Sequence, residues 1–373
     1  MTKIYFKIES VNLMTLRVMF YAVVLSSVIF FRPVVNHWFS TKSENEAAMF
    51  FPTLQQQDKI LHKFESCFLI ERQLILDESS SLIGSIHDFK VDGKKNFWIA
   101  DSKEKNIKIF SENGGLIKSI GKGGAGPGEY NAPFCLAFNS SQQIFVGDPS
   151  NGRISLLNQK GDFLRSFAIV DVREIMSLDD AQVLIVASEF ASGKGECLHI
   201  YTNQGTKVKS FFDIPQNAFT FNMILDHASA CIDRQGNIYG VFTTEYKINK
   251  YAKKGNFLLT FNTLPDRYVK APGKFEVPTF SKTKMVEWIN SWSQVLKIVC
   301  AGDYVVVCLS IPGEQAYELD IFTLEGKLRV GNIKTDYRLL SSDREGRLYF
   351  LSEEEKGDQI LRRIIIAKVA NLK

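Results

Sequence analysis

The chain has 373 residues, 45% of them apolar and 12% aromatic, enough for a large buried core. Its 45 Lys and Arg nearly balance 41 Asp and Glu, and no run of five or six like charges occurs. That balance argues against a nucleic-acid-binding arm or a polybasic lipid patch. The six cysteines, at 67, 135, 197, 231, 300 and 308, lack the two-residue spacing of a zinc knuckle or redox dithiol.

In chain order, the first predicted element is an address rather than part of the core. Val18 to Phe31 carries no charge, with Lys3, Lys7 and Arg17 before it and Arg32 and Pro33 behind it. Taken alone this stretch has the length of a signal-peptide core; extended back to Val11 across Arg17, it is long enough to span a bilayer. No small-residue pair suited to cleavage follows, and Cys67 is not preceded by a lipobox. The expectation is an uncleaved signal-anchor over residues 1–40, with the rest of the chain exported to the cell envelope. Residues 41–63 are polar and broken by Pro52, and are expected to be a linker.

From residue 64 the chain repeats. Phe97 to Asp101, Ile107 to Phe110, Gly114 and Ile117 to Ile120 recur as Ile144 to Asp148, Ile154 to Leu157, Gly161 and Leu164 to Phe167. Asp101 and Asp148, Ile107 and Ile154, Gly114 and Gly161, and Ser119 and Ser166 are all 47 residues apart. A fixed period of this length, filled with strand-like segments, predicts propeller blades. Third and fourth copies follow around Val183 to Phe211 and Asp233 to Phe261, with their turn glycines at 205 and 255. The fifth is delayed until Gly326 by an insertion at about 262–293, which holds Trp288 and Trp292. The sixth, from Asp343 to Ile366, lacks an outer strand. The strand-like stretch Cys67 to Leu76 has no copy of its own and is expected to close the ring beside the last blade, removing an exposed edge. The predicted fold class is therefore all-β, a six-bladed β-propeller over residues 64–373 with an N-terminal anchor or signal helix.

Trp98 to Asp101, Ile107 to Phe110 and the loop Gly121, Gly123, Gly124, Gly126, Pro127, Gly128, Glu129, Tyr130 together resemble an NHL repeat. More broadly, residues 83–167 resemble bacterial six-bladed propellers of the NHL type. The glycine loop lacks the Lys-Ser/Thr ending of a phosphate loop and leads into a strand, so a connection between blades is expected. The resemblance implies lyase or lactonase chemistry as an alternative, with a divalent metal held on the ring axis. His87, His199 and His227 come from three blades and are the candidate ligands for such a site; apart from that alternative no cofactor is expected. No Gly-x-Ser-x-Gly elbow and no His-Glu-x-x-His appears. Asp101 and Asp148 are expected to cap turns, a routine role for aspartate.

The favoured function is a binding module, because a propeller offers a rigid disc with loops on two faces. The partner is expected to be a protein, peptide or glycan, met by a monomer. Lys122, Glu129 and Tyr130 on the glycine loop, with Trp288 and Trp292 in the insertion, are the candidate contacts, since exposed aromatics are common anchors; the equal alternative for the tryptophans is a short helix that packs them under the ring. The membrane is met only through the N-terminal segment, and no nucleic acid is expected. A disulfide between Cys300 and Cys308 would need the turn near Gly302 to set them face to face.

Overall fold

Each second strand of the repeats carries an apolar run, whereas the last strands mix polar and apolar residues, and this contrast builds the fold. A computed structural model describes residues 61–373, apart from 192–193, 216–227, 262, 272–281, 358 and 373. The expected anchor and the linker as far as residue 60 lie outside the described residues.

The chain enters through β1 (His62–Lys63), a single helical turn α1 (Phe64–Cys67) and β2 (Phe68–Ile75). Blade 1 is β3 (Asp88–Val91), β4 (Phe97–Asp101), β5 (Asn106–Phe110) and β6 (Leu116–Ile120). Blade 2 is β7 (Cys135–Phe138), β8 (Ile144–Asp148), β9 (Arg153–Leu157) and β10 (Phe163–Ala168). Blade 3 is β11 (Val172–Ser177), β12 (Gln182–Ala191), β13 (Lys194–Thr202) and β14 (Lys207–Asp213). Blade 4 is β15 (Ala228–Ile232), β16 (Ile238–Phe242), β17 (Glu245–Tyr251) and β18 (Phe257–Phe261). After helix α2 (Lys282–Ile289), blade 5 is β19 (Gln294–Ala301), β20 (Tyr304–Ser310), β21 (Tyr317–Thr323) and β22 (Leu328–Thr335). Blade 6 is β23 (Arg338–Ser342), β24 (Leu348–Lys356) and β25 (Gln359–Val369), completed by β2.

Closure takes the form that the missing strand predicts. β2 pairs antiparallel with β25, with Leu69 opposite Lys368 and Gln73 opposite Ile365. A second clasp has no signature in the sequence: His62 and Lys63, the end of the expected linker, pair in parallel with Ile333 and Lys334 on the outer edge of blade 5. The entering chain therefore ties blades 5 and 6 together.

Each sheet lies face to face with its two neighbours, so its inner strands lose both faces to the core. All five residues of β4, β8 and β16 are buried, while β6 is exposed along its middle three. The buried residues fall into six clusters, one for each junction between blades. The cluster of Leu74, Phe89, Phe97, Tyr349 and Ile364 joins blade 6 to blade 1 and so completes the circle. Burying apolar surface mainly between repeats is why no blade is stable alone.

The recurrent turn glycine has a steric cause. Gly161, Gly205, Gly255 and Gly326 sit between the third and fourth strands with φ from 73° to 91°. A Cβ on each would strike the end of the preceding blade's outer strand: Ile120, Phe167, Phe211 and Phe261 in turn. Gly114 is placed in the same way against Ile75, which shows β2 acting as the outer strand that precedes blade 1. Only glycine takes up both the positive φ and the close approach.

Candidate functional site

The first strand of every blade lines the central axis, and polar side chains on these strands stitch the ring from inside. Asp88 Oδ2 accepts from the Leu136 amide (2.8 Å), linking blade 1 to blade 2. Arg173 lies over the Phe134 ring, 5.6 Å from its centroid, linking blade 3 to blade 2. Glu174 accepts from Ser229 Oγ (2.9 Å) and the Ala230 amide (3.1 Å), linking blade 3 to blade 4. Ser342 donates to the Cys300 carbonyl (2.8 Å), and Arg338 donates to the Ile86 carbonyl (3.0 Å), closing from blade 5 through blade 6 to blade 1. Lys297 donates to Glu174 at 2.7 Å, passing blade 4 to tie blade 5 to blade 3. Burial works against the charge on Lys297, but Glu174 and then Asp88 outweigh it, so its pKa is raised and it stays ionised at neutral pH.

On one face the axis opens into a cavity of about 730 Å³. Its rim is the set of turns between first and second strands, and its floor includes Lys90, Glu174 and Lys297. The turns share a design. In blade 1, Asp92 accepts from the amides of Lys94 and Asn96 and from Trp98 Nε1 (2.9 Å). In blade 4, Asp233 accepts from the amides of Gln235 and Asn237 and from Tyr239 Oη (3.0 Å). In blade 6, Asp343 accepts from the amides of Glu345 and Arg347 and from Tyr349 Oη (2.8 Å). An aspartate followed six residues later by an aromatic donor thus fixes three of the rim turns. This spacing is legible in the sequence, although its place at the mouth of the channel is not. Burial, then the neighbouring aspartate, pushes the phenols of Tyr239 and Tyr349 well above the usual range, so both remain donors.

Cys231 and Cys300 also line this mouth, on neighbouring first strands of blades 4 and 5, and form a disulfide with their Cα atoms 5.6 Å apart. The Cys300–Cys308 bridge weighed from the sequence does not form, because Cys308 stands opposite Lys297 and Cys300 opposite Val305. Cys67, Cys135, Cys197 and Cys308 are buried.

The residues singled out by sequence do not converge on one surface. Lys122 is 78% exposed and reaches Glu129 at 3.4 Å, while Glu129 also accepts from the Gly126 amide (2.9 Å). Both therefore stabilise the glycine loop itself. Tyr130 is fully buried between blades 1 and 2, with its ring against Gly121, and offers no outward contact. Trp292 is likewise buried, and Trp288 packs edge-on against it at 6.1 Å and is half-buried. A buried aromatic contributes more to the core than a solvated one would, so these tryptophans fasten the insertion to the ring.

The two described histidines of the three, His87 and His199, do not share an axis. His87 stands just before β3 and stacks on Phe134 (4.5 Å) at the end of the channel away from the cavity. Burial, then the Arg338 charge, lowers its pKa to about 4. His199 lies in the third strand of blade 3, with Nδ1 2.8 Å from Ser210 Oγ and Nε2 2.9 Å from the Ala187 carbonyl, inside the sheet. His227 lies outside the described residues. Among the described residues no three His, Cys, Asp or Glu side chains are grouped to hold a metal.

Asp101 and Asp148 have equivalent structural roles. Asp101 accepts from the amides of Gly84 (2.8 Å), Ser85 (3.0 Å) and Glu104 (3.1 Å). Asp148 accepts from those of Asn131 (2.9 Å), Ala132 (3.0 Å) and Asn151 (3.3 Å). Each holds the segment that enters its blade from outside. Asp101 also pairs with Lys108 at 2.9 Å, both fully buried.

The model of a family described as six-bladed β-propellers, DUF5128, matches residues 57–297. The chain belongs to the DUF5128 family. No curated protein matches it. Among solved structures, a DUF4221-family member from Bacteroides vulgatus superposes with a TM-score of 0.60 at 16% identity, covering 81% of this chain and 98% of its own. An exported-protein candidate from Bacteroides fragilis gives 0.59 at 10%, covering 83% and 98%. A catalytically inactive virginiamycin B lyase from Staphylococcus aureus, with quinupristin, gives 0.51 at 11%, covering 80% and 99%. At these identities the DUF5128 chain shares the fold with them and no more is shown. Among the described residues no helix is long and apolar enough to cross a membrane.

Proposed function

We propose that this DUF5128 propeller works in the cell envelope as a monomeric binding module and receives its ligand in the cavity on the channel axis. The observation that carries the reading is that cavity: about 730 Å³, open to one face, and rimmed by turns that carboxylates hold rigid. Its size suits a small molecule or the end of a peptide or glycan. A preorganised rim reduces the ordering cost of binding. Export is supported by the apolar N-terminal stretch, by a disulfide of a kind that persists in oxidising compartments, and by the exported-protein candidate that shares the fold. The NHL-type pattern of residues 83–167 supports the same use of the scaffold.

Ligand-observed NMR with a mixed library of neutral and charged small molecules tests the reading. Binders whose signals vanish when Ser342→Trp fills the mouth support it. A library with no binder, or binding indifferent to that substitution in a protein that melts like the wild type, removes it.

A further inference from the structure

The charges of the mouth are unevenly committed. Seven basic residues line the cavity (Lys90, Lys95, Arg234, Lys253, Lys297, Arg344, Arg347) against five acidic ones. On the floor, Lys297 is paired with Glu174 and Lys90 with Asp88 (3.0 Å). On the rim, Asp92, Asp233 and Asp343 have their oxygens taken up by turn amides and by the indole or phenol donors already described. Arg347 is spent on Asp343 (2.7 Å) and Glu345 (2.7 Å), and Lys253 on Asp179 (2.9 Å). Lys95, Arg234 and Arg344 remain, exposed on the turns of blades 1, 4 and 6, with no acidic partner among the described residues.

The two arginines are also tied to each other. Arg234 Nε donates to the Arg344 carbonyl at 3.2 Å, so the blade 4 turn reaches the blade 6 turn across blade 5. The crossing is possible because the blade 5 turn is short, Gly302 and Asp303 alone between its first two strands, and the blade 6 turn packs on it: a Cβ on Gly346 would lie 3.1 Å from the Gly302 amide nitrogen. With Nε occupied, the terminal amino groups of Arg234 are the ones left to recognise a ligand. That end of a guanidinium matches the two oxygens of a carboxylate or phosphate.

Resting on the binding reading above, we infer that the mouth recognises a small anionic ligand carrying carboxylate or phosphate groups, with Arg234, Arg344 and Lys95 as its cationic contacts. A cationic ligand would have to displace the hydrogen bonds that already saturate the rim aspartates, whereas an anion meets cations whose only competitor is water. Placement in a concave site strengthens such charges over the same groups on an open surface.

Calorimetric titration of the full chain in detergent with digalacturonate, fructose 1,6-bisphosphate and maltose provides the test. The expected result is binding of at least one of the two anions, several-fold weaker in 300 mM than in 50 mM salt, and no binding of maltose. The carboxylate and phosphate arms identify which group is preferred. The double variant Arg234→Gln/Arg344→Gln is expected to weaken that binding tenfold or more with an unchanged melting temperature, and Lys95→Gln to weaken it less. If maltose binds as well as the anions and the variants leave it unaffected, the anion assignment is overturned and the cavity keeps its role as a binding site. If none of the three binds while the mixed library yields mouth-dependent binders, the anion assignment again fails alone. Failure of both experiments removes the site itself.

Discussion

Lys297 of blade 5 and Glu174 of blade 3 meet 2.7 Å apart beside the axis, passing the blade between them. Glu174 also holds Ser229 and Ala230 of that middle blade, so one carboxylate gathers three of the six blades. A junction of this kind is strong because both carboxylate oxygens have partners, and it is vulnerable for the same reason.

Lys297→Met leaves Glu174 charged and largely buried with two neutral donors, and is expected to cost about 3 kcal/mol. Adding Glu174→Gln should recover part of that loss. Denaturant unfolding of the two single variants and the double measures the coupling; strictly additive effects would show that the pair does not act as a unit.

Reduction of the Cys231–Cys300 disulfide, which spans 69 residues of sequence, should lower stability by about 4 kcal/mol if chain entropy dominates. Melting curves with and without dithiothreitol, beside Cys231→Ser/Cys300→Ser, report it. The double variant should melt lower and lose its sensitivity to reductant. The four buried thiols should label only after denaturation.

Gly205→Ala and Gly152→Ala both place a side chain at positive φ, yet their surroundings differ. The new methyl at 205 would lie 2.5 Å from Phe167 Cγ, whereas nothing lies within 4 Å of the one at 152. The first should cost about 3 kcal/mol or more through overpacking and strain together, the second about 1 kcal/mol from strain alone. Equal losses in thermal unfolding would show that the approach of neighbouring blades does not select the glycine.

His87 has its pKa lowered from 6.5 to about 4, chiefly by burial. Between those values the unfolded chain takes up a proton that the folded one refuses. Its contribution is therefore complete above pH 6.5 and is lost as the pH falls towards 4, up to about 3 kcal/mol. The difference in unfolding free energy between wild type and His87→Gln should narrow over that window and stay constant above it.

How much of this was legible from residues alone depends on whether the signal is local. The 47-residue spacing of Asp101 and Asp148, the recurrent turn glycines and the unmatched strand near Leu69 gave the blades, their number and the way they close. Each reports geometry inside one blade or between adjacent ones, which recurs and so leaves a period. Tyr130 is buried where the sequence offered it as a contact, and Trp292 takes the packed alternative, because an aromatic on a connecting segment looks the same in sequence whether it faces solvent or the next blade.

Sequence by itself determined the six-sheet ring and one part of the role of Asp101 and Asp148, the cap on the turn that follows each, because alternation, glycine and aspartate act over a few bonds; their hold on the entering segments came from the fold. Only tertiary structure decided that Cys231 meets Cys300, that Lys297 meets Glu174, and that Arg234 and Arg344 share one mouth. Those pairs are joined by the closing of the ring, which brings first strands together about a common axis from distant parts of the chain, and no periodicity records which side chains then face one another.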